Sequence, residues 1–389
     1  MPARIITGDS RIALGSLPRD HFHCVVTSPP YWGLRDYEHP DQLGCEPTLE
    51  EHVEALVRVF RDIRRVLRHD GTVWLNYGDA YASDSNGWRS RNPKEAKAFS
   101  PHNIGERVRP AQLKPKDLMG LPWRIALALQ DDGWWLRADC IWNKPNAMPG
   151  SAQDRPSVAH EYVFLLAKSE LYFYDLDAVR QPAKSGSRCR RKTEPVPSNV
   201  PNARPHKGIR VPMSKEAGRN LRTVWDINTQ PMAEAHSSTF PEKLAETCIL
   251  ATTSAKGCCR ECGAPWERKV EVTGEKVGQS WHDHSEDRLH GQRNAVTGTY
   301  QRKTLGWLPT CECSWSFAPA LLPVVPMTES DLVPCRVLDP FGGSGTTALV
   351  AENLGRDSTI VEINEDNVDI ATRRIRESRG VFANIEHIR

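Results

Sequence analysis

No stretch of this 389-residue sequence approaches the roughly 18 consecutive apolar residues of a membrane span. The opening Met1-Pro2-Ala3-Arg4 leads into no signal-peptide h-region. A cytoplasmic protein with no membrane partner is therefore the expectation. Net charge is nearly absent: 51 Lys and Arg against 49 Asp and Glu leave +2, so the chain as a whole advertises no polyanionic partner. No internal repeat is found. The cysteines number eleven, and an odd count argues against a complete disulfide framework. In a reducing compartment, clustered thiols more often hold metal. What remains, 39% hydrophobic and 26% charged residues, suits a globular protein of two or three domains.

The charge that is present is unevenly spread. Between Arg180 and Arg222 there are twelve Lys and Arg against two Glu, in a stretch rich in Pro, Ser, Asn and Gly. A solvated linker and a phosphate-tracking surface explain it equally well. Elsewhere the pattern alternates strand and helix. Short strands are predicted at 4–7, 23–28 and 72–76. A helix is predicted at 50–68, with Val53, Leu56, Val57, Phe60, Ile63 and Leu67 on one face. Residues 84–115 are polar and aperiodic and read as a mobile loop. A helix near 117–130 and strands near 134–142 and 161–166 follow. Thr239-Phe240-Pro241-Glu242 has the form of a capping box opening a helix to about Ala251. This rhythm predicts an α/β fold with a mainly parallel sheet.

Two turns carry chemistry. In TSPPYW (27–32), an apolar strand stops on two prolines. Proline lacks an N–H and drives the preceding residue toward extended conformations, so the chain leaves the sheet as a rigid turn. Its carbonyls lose their ladder partners, and Tyr31 and Trp32 follow as flat apolar surfaces at the sheet edge. Near the other terminus, the strand Val337-Leu338 runs into DPFGGSGTT (339–347), then a helix closed by Gly355, then a strand ending on Glu362, 23 residues after Asp339. Glycines let a backbone approach a ligand, and an acid at the end of the next strand can bond ribose hydroxyls. The turn lacks the Lys of a P-loop after Gly345, and it lacks the third glycine of the dinucleotide fingerprint. Phe341-Gly342-Gly343-Ser344-Gly345 has instead the Phe-x-Gly-x-Gly form of turns that bind S-adenosylmethionine.

With these residues in view, the chain resembles the β-group amino DNA methyltransferases, specific for cytosine N4 or adenine N6, over residues 4–82, 113–178 and 223–389. TSPPY looks like their catalytic tetrapeptide, DPFGGSGTT like their cofactor motif, and HSSTFPEKL (236–244) like the segment that packs on the methionine end of the cofactor. The order, catalytic motif first and cofactor motif last, resembles that group's. The resemblance implies a circularly permuted Rossmann-like S-adenosylmethionine-dependent methyltransferase fold, in which both chain ends share one sheet and one cleft. It divides the chain into a catalytic half (1–180, with loop 84–115), a basic target-recognition region or linker (181–224) and a cofactor half (225–389). The last carries a small insertion at 256–316.

The resemblance also assigns roles. Ser28, Pro29, Pro30 and Tyr31 are the catalytic residues. Asp339, Phe341, Gly343, Gly345, Thr346, Glu362, Phe240, Pro241 and Asp9 are the cofactor-binding set, although a helix cap explains Asp9 as well. An amine inside a stacked base pair is out of reach, so the target base must be flipped out, with Tyr31 as its stacking platform. The Ser28 hydroxyl and the Pro29 carbonyl would accept its N–H groups while the nitrogen attacks the sulfonium methyl. No cysteine nucleophile is needed, and Cys24 reads as core. Serine in the first motif position leans toward cytosine N4, with adenine N6 as the alternative. Double-stranded DNA is the implied substrate, with a cognate restriction endonuclease and a homodimer left open as partners.

Cys259-x-x-Cys262 reads as a zinc knuckle that Cys311 and Cys313 could complete across 48 intervening residues. Cys258, His282, His284 and His290 are substitute ligands. The role would be structural, because the insertion has few aliphatic residues to fold on. A deaminase would need His-x-Glu before Pro-Cys-x-x-Cys, which is absent. A zinc-dependent DNA-binding protein with an inactive methyltransferase fold is the rival from another class.

Overall fold

A computed structural model describes residues 3–33, 42–82, 113–150, 152–182, 219–230, 240–273, 301–313 and 332–388. Most of the predicted loop 84–115, most of the basic stretch, Thr239, and His282, His284 and His290 lie outside the described residues. The chain divides into two compact units. Met1–Asp175, Arg222–Trp266 and Pro309–Arg389 form the first; Leu176–Leu221 and Glu267–Leu308 form the second.

The first unit opens with β1 (Ala3–Thr7), α1 (Ser10–Ser16), β2 (Phe22–Thr27), α2 (Leu49–Val66) and β3 (Leu67–Tyr77). Thr48 caps α2 by accepting from the Glu51 N–H at 3.2 Å, and acids at its start and arginines at its end complement the helix dipole. The buried face carries Leu56, Val57, Phe60 and Ile63, as the periodicity predicts, but Leu67 already belongs to β3. The next helix, α3 (Leu121–Asp131), starts four residues later than predicted. Gly120 in the left-handed region (φ 67°), Pro122 in the first turn and the Asp79 carboxylate, which accepts from the Gly120 and Leu121 amides at 3.1 and 3.2 Å, fix that start.

β4 (Trp135–Asn143), β5 (His160–Ala167) and β6 (Val224–Asp226) follow. α4 (Glu242–Thr252) corrects the capping-box expectation: Pro241, held at φ −69°, is the N-cap residue and gives no side-chain cap. The unit ends with β11 (Arg336–Asp339), α5 (Thr346–Asn353), β12 (Asp357–Glu362), α6 (Glu365–Arg379) and β13 (Ile385–Ile388). Between them, β7 (Cys258–Cys259) pairs antiparallel with β10 (Leu332–Val333).

Nine strands form one sheet in the order β13-β1-β12-β11-β2-β3-β5-β4-β6. Only β5 runs against its neighbours. Consecutive residues face opposite sides. Ile6 and Val361 join the core under α1, α2 and α3, whereas Ile5 and Ile360 pack with Leu349 of α5 and Ile375 of α6. The polarity places the ends of β12, β11, β2, β3 and β4 and the beginning of β5 along one edge. Among the described residues no helix is long and apolar enough to cross a membrane.

The second unit contains the antiparallel pair β8 (Glu267–Thr273) and β9 (Gln301–Leu308). Asp177 accepts two hydrogen bonds from Arg302, at 2.8 and 2.9 Å, and Arg268 lies 4.5 Å from the Trp307 ring centre.

Candidate active site

The two chemistry-bearing turns leave adjacent parallel strands. In register, Val337 pairs with Cys24 and Leu338 with Val25. One residue before Ser28, the Thr27 hydroxyl donates to Asp339 Oδ1 at 2.7 Å. The same oxygen accepts from the Phe341 amide at 3.0 Å, and Oδ2 accepts from Thr347 Oγ1 at 2.7 Å. Asp339 thus clamps the Pro-Pro turn and the glycine turn together across the chain's two ends. Burial pushes its carboxyl up to about 6, against the pull of these hydrogen bonds.

The glycine turn is held by Glu362, whose carboxylate accepts from the Gly343 amide (2.7 Å), the Asn364 amide (2.9 Å) and Asn367 Nδ2 (3.2 Å). The Ile363 backbone also hydrogen-bonds this carboxylate, so Glu362 ties the turn to the end of β12. Burial raises the Glu362 pKa despite these donors. Gly345 caps α5 at φ 76°, and a Cβ there would stand 2.6 Å from the Ala371 Cβ, so the turn admits only glycine. The predicted cofactor contact Thr346 is buried, and its hydroxyl accepts from Arg374 at 2.9 Å. Asp9 caps α1 through the Arg11 amide at 2.8 Å and also pairs with the Arg11 side chain. Phe240 and Pro241 stand at the start of α4, which packs on α5. A strand, glycine turn and helix with an acid at the following strand's end fit a cofactor carrying an adenosine.

On the catalytic side, Tyr31 is half-buried and lies against Tyr77, with ring centres 4.3 Å apart. Its hydroxyl accepts from Ser28 Oγ at 3.2 Å and donates to Glu161 Oε2 at 2.9 Å. Burial, then the Glu161 charge, hold the Tyr31 phenol well above its ordinary pKa, so it stays a proton donor. Gly78 leaves room for this contact: a Cβ there would be 3.0 Å from Tyr31 Cε2 and 3.2 Å from Glu161 Cγ.

A second series of hydrogen bonds supports the turn from behind. The Trp32 amide donates to Tyr77 Oη at 3.0 Å, His52 Nε2 lies 2.9 Å from that oxygen, and His52 Nδ1 lies 2.8 Å from Glu46 Oε2. Burial, the largest single influence, would raise the Glu46 carboxyl, but the His52 hydrogen bond and charge together with the backbone hydrogen bonds at Glu46 and Gly44 outweigh it and bring the pKa below the ordinary value. Trp32 corrects an expectation: its side chain is buried in the core and donates to the Glu46 carbonyl at 2.9 Å, so it offers no face at the sheet edge. Cys24 is fully buried, with its thiol pushed up to about 12 by desolvation, as its reading as core requires.

Sequence reasoning missed Asn76, Tyr77, His52, Glu46, Lys144 and Glu161. The usable signal is positional. Asn76 and Tyr77 end β3, Lys144 follows β4 and Glu161 opens the reversed β5, so all four reach the same edge.

The thiols of Cys259, Cys262, Cys311 and Cys313 lie within 4.8 Å of one another, and none is in a disulfide. Their turn docks on the opposite ends of the strands: His23 Nε2 lies 2.8 Å from the Gly263 carbonyl, and the Cys262 carbonyl accepts from Arg68.

The family model for the N6/N4 type of DNA methylase matches residues 22–259 and 335–373. The type II methyltransferase M.SmaI of Serratia marcescens is 35% identical over 379 residues, covering 97% of this chain and 91% of that protein. M.XycI of Xanthomonas campestris pv. cyanopsidis is 46% identical over 252 residues, 64% of this chain and 72% of the relative. Among solved structures, the PvuII DNA methyltransferase, described as cytosine-N4-specific, aligns with a TM-score of 0.52 at 16% identity, over 100% of this chain and 95% of that one. A protein of Thermus thermophilus, described as a candidate DNA modification methylase and solved with S-adenosyl-L-methionine, aligns with a TM-score of 0.50 at 19% identity, over the whole of both chains. These likenesses define the fold class, an α/β methyltransferase. The chain belongs to the N6/N4 DNA methylase family and is a β-group amino DNA methyltransferase.

Proposed function

We propose that this chain methylates N4 of a cytosine flipped out of double-stranded DNA. The observation that carries this reading is Ser28-Pro29-Pro30-Tyr31, placed one residue beyond a Thr27 that is hydrogen-bonded to Asp339 of the glycine turn. Bound S-adenosylmethionine supplies an electrophilic sulfonium methyl. Phe341, Gly343, Gly345 and Thr346 would hold it through the glycine turn, Glu362 would take a ribose hydroxyl, and Phe240 and Pro241 would hold the methionine end. Asp9, as the cap of α1, shapes the rim. The face of Tyr31 stacks on the flipped base, a contact worth about 1–3 kcal/mol. Ser28 Oγ and the Pro29 carbonyl accept the amine's N–H groups and favour a pyramidal, nucleophilic nitrogen. Cys24 takes no part, because a thiol whose pKa stands near 12 offers no thiolate.

Serine rather than aspartate in the first motif position supports cytosine over adenine. The joining of strands from both chain ends in one sheet supports a circularly permuted Rossmann-like core. Residues 181–224 and the loop 84–115 bind phosphates and read base edges. Cys259, Cys262, Cys311 and Cys313 hold a structural zinc ion, since sulfurs this close suit a tetrahedral site. A cognate restriction endonuclease shares the recognition sequence.

Incubation with tritiated S-adenosylmethionine and plasmid DNA, followed by nucleoside mass spectrometry, tests the reading. N4-methylcytosine is expected. N6-methyladenine overturns the choice of base, and unlabelled DNA favours a DNA-binding protein with an inactive fold.

A further inference from the structure

Glu161 opens β5 beside the catalytic turn, with a side chain 18% exposed, and methyl transfer as proposed gives it no role. Its surroundings are fully determined. Oε1 is paired with the Lys144 ammonium, which itself lies 4.3 Å from the Trp142 ring centre. Oε2 accepts from Asn76 Nδ2 at 3.0 Å and from Tyr31 Oη at 2.9 Å. Asn76 is fixed in turn by its second bond, to the Tyr162 carbonyl at 3.1 Å.

An ionised carboxylate only accepts. The Tyr31 O–H therefore points at Glu161 Oε2, 2.9 Å away, in preference to Asn76 Oδ1 at 3.4 Å, and with either acceptor the Tyr31 oxygen is left to accept from Ser28. The Ser28 hydroxyl, 3.2 Å away, then points its hydrogen at Tyr31. Ser28 Oγ is left with lone pairs only toward any further neighbour. An N–H of a target amine needs such an acceptor; a Ser28 hydrogen turned the other way would oppose it.

We propose that Glu161, anchored by Lys144 and Asn76, is a positioning residue that sets the direction of the Ser28–Tyr31 hydrogen-bond chain and so presents Ser28 Oγ to the target amine as an acceptor. This assignment rests on the proposed function and applies to either base. The raised pKa of Tyr31 keeps the middle link protonated. The close packing at Gly78 keeps Tyr31 and Glu161 in register.

Glu161→Gln keeps shape but not polarity. The Lys144 ammonium draws the amide oxygen, so the NH2 group faces Tyr31 and reverses the chain. Tyr31→Phe keeps the stacking ring and deletes the link. Single-turnover methylation of the plasmid is expected to slow about tenfold in each single variant, the scale of one hydrogen bond to a charged group. Dissociation constants for cofactor and DNA should stay within about twofold of wild type. The double variant should be no slower than Tyr31→Phe alone, because Glu161 acts only through Tyr31. A merely structural role predicts losses that multiply, and that result overturns the proposal. So does either single variant methylating at the wild-type rate. If Glu161→Gln fails to fold, Tyr31→Phe alone decides: a tenfold slower rate supports the chain and an unchanged rate removes it. A wild-type protein that transfers no label overturns the proposed function itself. A wild type that does, matched by an equally fast Glu161→Gln, overturns this assignment alone.

Discussion

Asp339 sits 1% exposed where the two ends of the chain meet, and it holds Thr27, Phe341 and Thr347 at once. Its carboxyl stands at about 6, pushed up chiefly by burial. The folded protein therefore keeps a proton that the unfolded chain loses near pH 4. Between those values the native state binds more protons than the unfolded state, so this group subtracts stability as pH rises from about 4 to 6 and changes nothing further above that. Asp339→Asn removes the titration and keeps an oxygen for Thr27 and Phe341. The difference in Tm between the variant and wild type should shift in the variant's favour from pH 4 to pH 6, as followed by circular dichroism; a pH-independent difference would count against a buried, raised carboxyl. At this scale the sequence was legible where chemistry is contiguous. Ser28 to Tyr31 and Asp339 to Gly345 could be read as strings. Glu161 and Lys144 could not, because a charged residue at a strand end looks like any solvated one until the strand order brings it to Tyr31. Trp32 was misread for the related reason that an aromatic after a Pro-Pro turn looks the same whether it faces a ligand or the core.

Among the elements, helices with a strong apolar face and a polar cap, such as α2, were legible almost to the residue. The start of α3 was not, because it is set by Asp79, some forty positions earlier in the chain. Gly345 joins β11 to α5 in a geometry that excludes a side chain. Gly345→Ala should lower stability by about 1–3 kcal/mol, read as the denaturant midpoint, and should weaken cofactor binding. The cysteine turn meets β2 and β3 at their beginnings, through His23 and Arg68, away from the edge that carries Ser28. Cys262→Ser should therefore reduce bound zinc from about one equivalent toward none by atomic emission. It should lower Tm, and it should leave cofactor affinity in the surviving folded protein nearly unchanged. Wild-type protein purified without zinc would remove the metal from this description.

For the whole molecule, a mainly parallel sheet followed from the strand–helix rhythm, and the sharing of that sheet by both chain ends from the family resemblance, but the rhythm alone did not give the strand order. Pairing of β1 with both β12 and β13 joins the first residues of the chain to the last. The same arrangement sets β2 beside β11 and brings two turns about 310 residues apart onto one edge. Under the proposed function this arrangement divides the labour: one chain end would bind the cofactor and the other would hold the acceptor. The most direct measurement is cofactor binding by calorimetry alongside label transfer to plasmid DNA, made on wild type and Tyr31→Ala. The expected result is a dissociation constant for S-adenosylmethionine within about threefold of wild type, with transfer abolished. Transfer at the wild-type rate, or loss of cofactor binding together with transfer, would contradict a cleft whose acceptor side and cofactor side are built from opposite ends of the chain.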